Sequence, residues 1–425
     1  MFSRKAEPSF EACNLKHHGR QGTMKSVSSA APMPEARPAI VVGGGRALAG
    51  FLLSGFLLAL LGAILPAWGY HRDPPDFVAV GNYFLSLAIG IVAGSLVARS
   101  VMARRSVGFL LVMACGISCV TMIYLAFVAP PQSTWLRVGG LLVLGIGAGL
   151  LNMALFHAIS ERYQADAAGT VNLGGVCYGL GCLTATLLVA GTFYAYGVTT
   201  ILIFMAAIPA IFAVVYLRNA PVLPPEGSHP TLRQALADFR SLGAILFALL
   251  LFIQFGNEWS IAGWLPIFLI RRIGLSPIEA LEVLGFYWLC LMTGRLGAVA
   301  IIPRVRHTRL LLGSVAAALF GCCLLYITDN GFGATMGAFF LGCGYASIYP
   351  LVAEAIGRRF PYYHPGFFNG IFSLALLGGL IAPASLGYAA SALGVGVVVG
   401  IPLIGTCLVM VLLLLIWLES KVTGR

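Results

Sequence analysis

The sequence predicts an all-α integral membrane protein with twelve transmembrane helices arranged in two six-helix, pseudo-symmetric halves. Two observations, the composition of the chain and the length of its apolar stretches, lead to this fold class. Of the 425 residues, 59% are hydrophobic and only 10% are charged, whereas a soluble domain carries roughly 25% charged residues. Apolar stretches of the length needed to cross a bilayer, about 20 residues, recur along the chain. Most of the mass is therefore expected to lie within lipid.

The apolar stretches fix the domain organisation. They begin near residues 47, 77, 107, 136, 168, 197, 242, 277, 308, 332, 366 and 393. The widest connector between them, residues 218–240, contains four prolines. We therefore predict a disordered cytoplasmic segment at 1–45, six-helix halves at 46–217 and 241–418 joined by a cytoplasmic linker at 218–240, and a cytoplasmic tail at 419–425.

The distribution of positive charge indicates the topology. The net charge is +11, yet the basic residues are not gathered on one soluble module, which argues against nucleic acid as a partner. With both termini cytoplasmic, 21 of the 26 Lys and Arg residues fall on the inside, four fall outside and Arg295 lies within a span. This segregation follows the positive-inside rule. It predicts a plasma membrane protein, a bacterial inner membrane protein in particular, that is monomeric and contacts lipid.

The seventh span carries a lone carboxylate, Glu258. Placing a carboxylate at the centre of a membrane helix costs at least about 2.5 kcal/mol, so such residues usually face a protein interior or a water-filled cavity. Gln254 and Asn257 precede Glu258 by four residues and by one, which places the three on one helical face. We interpret this face as a wall of a translocation cavity, where Glu258 could bind a proton or a solute hydroxyl. A purely structural carboxylate, capped by the neighbouring amides, is the alternative.

The eighth span adds Tyr287, Trp288 and Arg295. Aromatic faces suit the C–H side of a sugar ring, and an arginine fork binds carboxylates or hydroxyls. The alternatives are packing or interfacial aromatics and an arginine that reaches toward the cytoplasm. At about 1.5 Å per residue, Glu258 is expected outward of the midplane and Arg295 inward of it. A direct pair between them is therefore not expected.

In the first half, Asn152 is the strongest candidate for contact with the solute, since it follows close-packing glycines and lies deep in the fourth span. His157 lies nearer the cytoplasmic end, where a solvated role is at least as fitting. Neither metal-ligand spacing nor a C-x-x-C pair is present, and no Ser/His pair shares a common depth. We therefore predict no cofactor, no metal and no enzymatic activity.

A basic turn follows the second span. Gly94, Arg99, Arg104 and Arg105 in this turn resemble the signature loop of the major facilitator superfamily, although Ala98 stands at its acidic position. The resemblance implies the major facilitator fold, in which parallel six-helix halves hold a solute between them near the midplane.

The second half resembles one branch of that superfamily, the fucose, glucose and galactose proton symporters. The matching segments are residues 256–265 (GNEWSIAGWL), Tyr287-Trp288 with Gly294-Arg295, residues 347–350 (SIYP), and Gly378-Gly379 with Pro383. The resemblance implies sugar transport by alternating access and symport with a proton on Glu258. From the residue patterns described above, we expect the solute to be bound by Asn152, Gln254, Asn257, Glu258, Tyr287, Trp288 and Arg295.

The first half departs from this branch. Its sugar symporters have a polar or acidic residue on span one, where this chain has the uncharged segment 54–62, and they have a glutamate on span four, where Asn152 stands here. A facilitator that only equilibrates its solute is therefore an alternative to a symporter. Two further alternatives stay open: efflux of an amphipathic small molecule, and a membrane receptor without transport.

Overall fold

The chain folds into a bundle of long helices. The computed structural model describes residues 42–159, 167–219, 241–301, 305–359 and 371–423, and no strand occurs in these ranges. The helices are α1 (Val42–Ile64), α2 (Phe77–Met102), α3 (Val107–Phe127), α4 (Thr134–Ala158), α5 (Ala167–Thr192), α6 (Val198–Arg218), α7 (Leu242–Phe268), α8 (Pro277–Ile301), α9 (His307–Ile327), α10 (Gly331–Arg359), α11 (Ile371–Leu393) and α12 (Val397–Thr423). A π-helical turn, Leu269–Ile273, extends α7.

The predicted fold class is confirmed. The largest offsets between predicted and observed helix starts are at α1, which begins at 42 rather than 47, and α11, which begins at 371 rather than 366. Eleven of the described helices are long and apolar enough to cross a membrane. The twelfth, α8, is 25 residues long and carries Glu279, Glu282 and Arg295. The predicted N-terminal segment, apart from its last residues, and nearly all of the predicted linker lie outside the described residues.

Helix pairing repeats between the two halves. In the first half, α1 packs against α5, α2 against α4 and α3 against α6. In the second half, α7 packs against α11, α8 against α10, and α9 against both α10 and α12. The halves meet where α2 packs against α11, α5 against α8 and α1 against α7. A central space between the halves is surrounded by six helices, α1, α2, α4, α5, α7 and α11.

Glycines allow the closest helix contacts, as predicted for the fourth span. A Cβ atom on Gly145 of α4 would lie 2.9 Å from the Cα of Gly90 on α2, and a Cβ on Gly94 would lie 2.9 Å from the Cα of Ile146. Any larger residue would therefore push α2 and α4 apart. Small residues at such crossings let helix backbones approach within a membrane, where packing rather than the hydrophobic effect drives association.

Candidate functional site

A cavity of about 340 Å³ lies between the two halves. Four helices of the first half and two of the second line it. The lining residues are Phe51, Ser54, Leu58, Ile91, Val92, Ser95, Leu96, Arg99, Asn152, Met153, Phe156, Tyr178, Trp259, Leu376, Leu377 and Leu380. Most of these side chains are apolar, and the polar ones are few and spread over α1, α2, α4, α5 and α7. This composition is typical of sites for small organic molecules, in which a few polar groups orient a largely apolar contact.

Asn152 lines this cavity, and its amide is held in place by a neighbour. Ser54 Oγ on α1 donates a hydrogen bond to Asn152 Oδ1 on α4, with the two oxygens 2.5 Å apart. The amide nitrogen of Asn152 is thereby left to donate to a solute. Of the residues predicted to bind the solute, Asn152 lines this cavity.

Aromatic side chains line the deeper part of the cavity. Tyr178 on α5 and Trp259 on α7 line both the cavity and a narrower space of about 30 Å³ toward the turn between α1 and α2. Trp288 lines the narrow space, and its ring lies edge-on to Tyr178 with the centroids 6.4 Å apart. Tyr287 is fully buried beside Trp288 and does not line the cavity. Trp288 and Tyr178 are thus positioned to contact a solute at the narrow end.

Glu258 and Arg295 form an ion pair, so the expectation that they would not meet is wrong. Arg295 Nη2 lies 3.5 Å from Glu258 Oε1, and both side chains are more than 90% buried. The depth estimate failed because it counted residues along helix axes and neglected the length of the arginine side chain. Gly175 on α5 gives the guanidinium its space, since a Cβ there would lie 3.0 Å from Arg295 Cζ. The pair therefore sits at the contact of the two halves.

The amide side chains predicted beside Glu258 are placed differently. Asn257 Nδ2 donates to Thr406 Oγ1 on α12 at 3.4 Å, so Asn257 connects helices within the second half. Gln254 is fully buried, and both atoms of its amide are without a hydrogen-bond partner within the described part of the chain. The second carboxylate oxygen of Glu258 and the Nε of Arg295 are also buried and also have no hydrogen-bond partner among the described residues. Buried polar groups are normally satisfied, so this group of atoms has unused capacity to bind a proton, water or solute.

The two halves are joined at the end of the bundle that carries the turn between α1 and α2. We call this the outer end, after the predicted topology, and the opposite end the inner end. Arg271 in the π turn lies 2.6 Å from Asp73 in the turn between α1 and α2. Tyr388 on α11 donates to Asn82 Oδ1 on α2 at 2.6 Å. Both contacts cross between the halves.

Close packing completes this closure. A Cβ on Gly81 of α2 would lie 3.2 Å from the Cα of Gly387 on α11. Below this contact, the ring of Trp264 stacks on Phe84 with centroids 5.9 Å apart, and its Nε1 donates to the carbonyl oxygen of Pro383 at 2.9 Å. The contacts of Arg271 with Asp73 and of Tyr388 with Asn82 therefore connect the halves at the outer end. Ser95 and Arg99 line the cavity from the last turns of α2 and therefore lie toward the inner end.

The sequence from residue 172 to residue 383 matches the profile of the Major Facilitator Superfamily. This match includes three of the six helices that line the cavity, α5, α7 and α11. The chain belongs to the major facilitator superfamily. The predicted family is thereby confirmed, and the protein is a membrane transporter by family.

Known superfamily members share the architecture over nearly the whole chain. An uncharacterized MFS-type transporter of Yersinia pestis is 21% identical over 357 residues, which cover 82% of this chain and 89% of that protein. The crystal structure of a mutant of the nucleoside transporter NupG superposes with a TM-score of 0.68 at 14% identity, over 87% of this chain and 99% of that one. FucP, a fucose:proton symporter of E. coli, gives a TM-score of 0.61 at 16% identity in its outward conformation, over 88% and 99% of the two chains.

Sequence analysis missed three parts of this major facilitator site. Tyr178 follows a run of small residues on α5, and Arg99 was considered only as part of a basic turn. The pair between Glu258 and Arg295 was considered and set aside. A search of each span for polar or aromatic residues one helical turn from a glycine would have found Tyr178. Nothing in the sequence separates Arg99 from the other basic residues of its turn.

Proposed function

We propose that this protein is a secondary transporter that moves a small organic solute through the cavity between its halves by alternating access. The observation that carries the proposal is the cavity itself: it lies between the halves, and the contacts of Arg271 with Asp73 and of Gly81 with Gly387 close its outer end. Exchange of these contacts for equivalent ones at the inner end would present the same cavity to the other side of the membrane.

The lining supports two classes of solute. The faces of Tyr178 and Trp259, together with the amide of Asn152, are suited to a sugar ring, which offers C–H surface and hydroxyls. The many leucine and phenylalanine side chains favour a solute with a larger apolar surface, which is the second candidate. Counterflow of labelled solutes into proteoliposomes tests both classes directly. We expect flux for a subset of ring-containing solutes, and a receptor without transport would give none.

We further propose that Glu258 carries the coupling proton and alternates between binding that proton and pairing with the permanently charged Arg295. A proton on Glu258 removes the charge that holds the guanidinium, so Glu258 either binds the proton or pairs with Arg295, and binding of the proton releases Arg295. Because Arg295 also contacts α5, its release would loosen the contact between the halves. This mechanism supports symport, whereas the uncharged Asn152 and Ser54 support a facilitator.

The variant Glu258→Gln separates these possibilities. Its neutral amide mimics the protonated carboxyl, so we expect proton-driven accumulation to be abolished while exchange of solute across the membrane is retained. The exposed Glu282→Gln, which changes the same charge on α8, is the matched control and should accumulate like the wild type. Accumulation at the wild-type level in Glu258→Gln would exclude Glu258 as the obligatory carrier. If an imposed proton gradient does not change the solute flux of the wild-type protein, the result would instead favour the facilitator.

A further inference from the structure

We propose that the transported solute is a small organic carboxylate whose apolar body occupies the cavity and whose acidic group meets Arg99. This inference rests on the proposed transport function and specifies the solute class. The first observation that supports it is the positive charge of Arg99 in the cavity lining. Arg99 is the one ionised side chain among the described residues that line the cavity.

No carboxylate neutralises Arg99 within the described part of the chain. Ala98 precedes it, and none of the ion pairs between described residues includes it. The other arginine near the centre, Arg295, is already paired with Glu258 and does not line the cavity. Among the described residues, Arg99 is therefore an uncompensated positive charge in the cavity lining, and the adjacent Arg104 and Arg105 add to the positive potential at the mouth of the cavity.

The position of this charge fits an amphipathic anion. Arg99 lies in the last turn of α2, toward the inner end. Ser95 and Val92 line the same cavity about one and two turns deeper on that helix. Farther in, the lining is formed by side chains such as Leu58 and Leu380. A solute with a carboxylate at one end and an apolar or ring-shaped body at the other would match this gradient from charged to apolar.

The ordinary role of an arginine at this place is to stabilise a helix C-terminus on the cytoplasmic side. That role predicts no effect on the choice of solute. Discrimination between a carboxylate and its uncharged amide therefore separates the two roles. Because Arg99 is solvent-exposed, its ion pair with a solute is expected to be of modest strength, worth about a fivefold preference.

The experiment uses the purified full-length protein and pairs of compounds that differ in charge and little in shape. The pairs are benzoate and benzamide, 4-hydroxybenzoate and 4-hydroxybenzamide, cyclohexanecarboxylate and its amide, and glucuronate and glucose. Binding is measured as thermal stabilisation in detergent, and transport as counterflow in proteoliposomes against protein-free vesicles. We expect the acid to be preferred by up to about fivefold in at least one pair, and Arg99→Gln to reduce that preference to near unity.

Two variants serve as controls. Arg99→Lys keeps the charge and should retain the preference, and Arg104→Gln removes the same charge from an exposed residue that does not line the cavity. The proposal is overturned if no acid is preferred over its neutral partner, or if the preference survives Arg99→Gln. Equal loss in Arg104→Gln would assign the effect to surface potential and also overturn it. Preferential binding of acids without any counterflow would instead contradict the proposed transport function.

Discussion

At the scale of single residues, the account depends on the ion pair between Glu258 and Arg295. Removing two charges from water is costly, and a buried pair is often no more stable than apolar residues of similar size. Here the pair is also incompletely satisfied, since Glu258 Oε2 and Arg295 Nε have no hydrogen-bond partner within the described part of the chain. Such an arrangement is poorly suited to a purely structural role. It is suited to a site where a proton or a solute group binds during part of the cycle.

Gly175 provides a test of this pair that leaves both charges in place. A Cβ in Gly175→Ala would displace the guanidinium, which is the flexible end of Arg295, and weaken its contact with Glu258. We expect a stability loss of about 1–2 kcal/mol, below the roughly 3–5 kcal/mol for removing one partner of a buried pair, and a severalfold loss of solute flux. Thermal unfolding in detergent and counterflow measure the two effects.

The matched control is Gly179→Ala, one helical turn away on α5. Its Cβ would lie 3.3 Å from the Cβ of Met292, a contact that small shifts can relieve. We expect near wild-type stability and flux in this variant. Equal losses in both variants would show that α5 tolerates no added methyl group, and the assigned role of Gly175 would then be wrong.

At the scale of helices and turns, the outer end is closed by elements that are distant in sequence. The turn between α1 and α2 meets the π turn of α7 through Asp73 and Arg271, and α2 meets α11 through Gly81 and Gly387. His71 lies in the first of these turns, and its carbonyl oxygen accepts a hydrogen bond from Arg271 at 3.4 Å. Burial, followed by the charges of Arg72 and Arg271, lowers the pKa of His71 below its usual value of 6.5.

This lowered pKa predicts that acid opens the outer end. The closed arrangement favours the neutral imidazole, so its contribution to closure is present above pH 6.5 and is lost as the pH falls from 6.5 through the lowered pKa of His71. We expect the distance between spin labels at the exposed positions Val78 and Leu393 to increase from about pH 7.5 to about pH 5. His71→Gln should abolish this response, and a response of full size in that variant would assign it to another group.

The sequence predicted the positions of the helices well, but it predicted the contacts between helices poorly. Apolar length alone located all twelve helices, because a backbone in lipid must satisfy its hydrogen bonds within each helix. Glu258 and Asn152 could be singled out because a polar residue in an apolar span is conspicuous. The pair with Arg295, the place of Tyr178 in the cavity and the outer closure depend on helix tilt and on contacts between the halves. Those features are not encoded in the spacing of residues along one helix.

At the scale of the whole molecule, the two repeated halves provide the two-state element that transport requires. The pairs α2 with α11 and α5 with α8 are equivalent under exchange of the halves, so a related set of contacts can form with the opposite end closed. A solute shifts such an equilibrium only by binding the two states differently. We therefore propose that the solute crosses the membrane through the cavity between the halves.

Occlusion of this cavity tests that claim most directly. Leu380 lines both the cavity and the narrow space beyond it, and Leu380→Trp would fill the volume that a solute needs. The control is Leu289→Trp, which adds the same bulk to an exposed position on α8. Counterflow of a transported solute into proteoliposomes is measured for both variants at matched protein content and confirmed folding. If the cavity is the route, flux falls at least about tenfold, equivalent to about 1.4 kcal/mol, in Leu380→Trp and stays near wild type in Leu289→Trp. Undiminished flux in a folded Leu380→Trp protein would show that the solute takes another route.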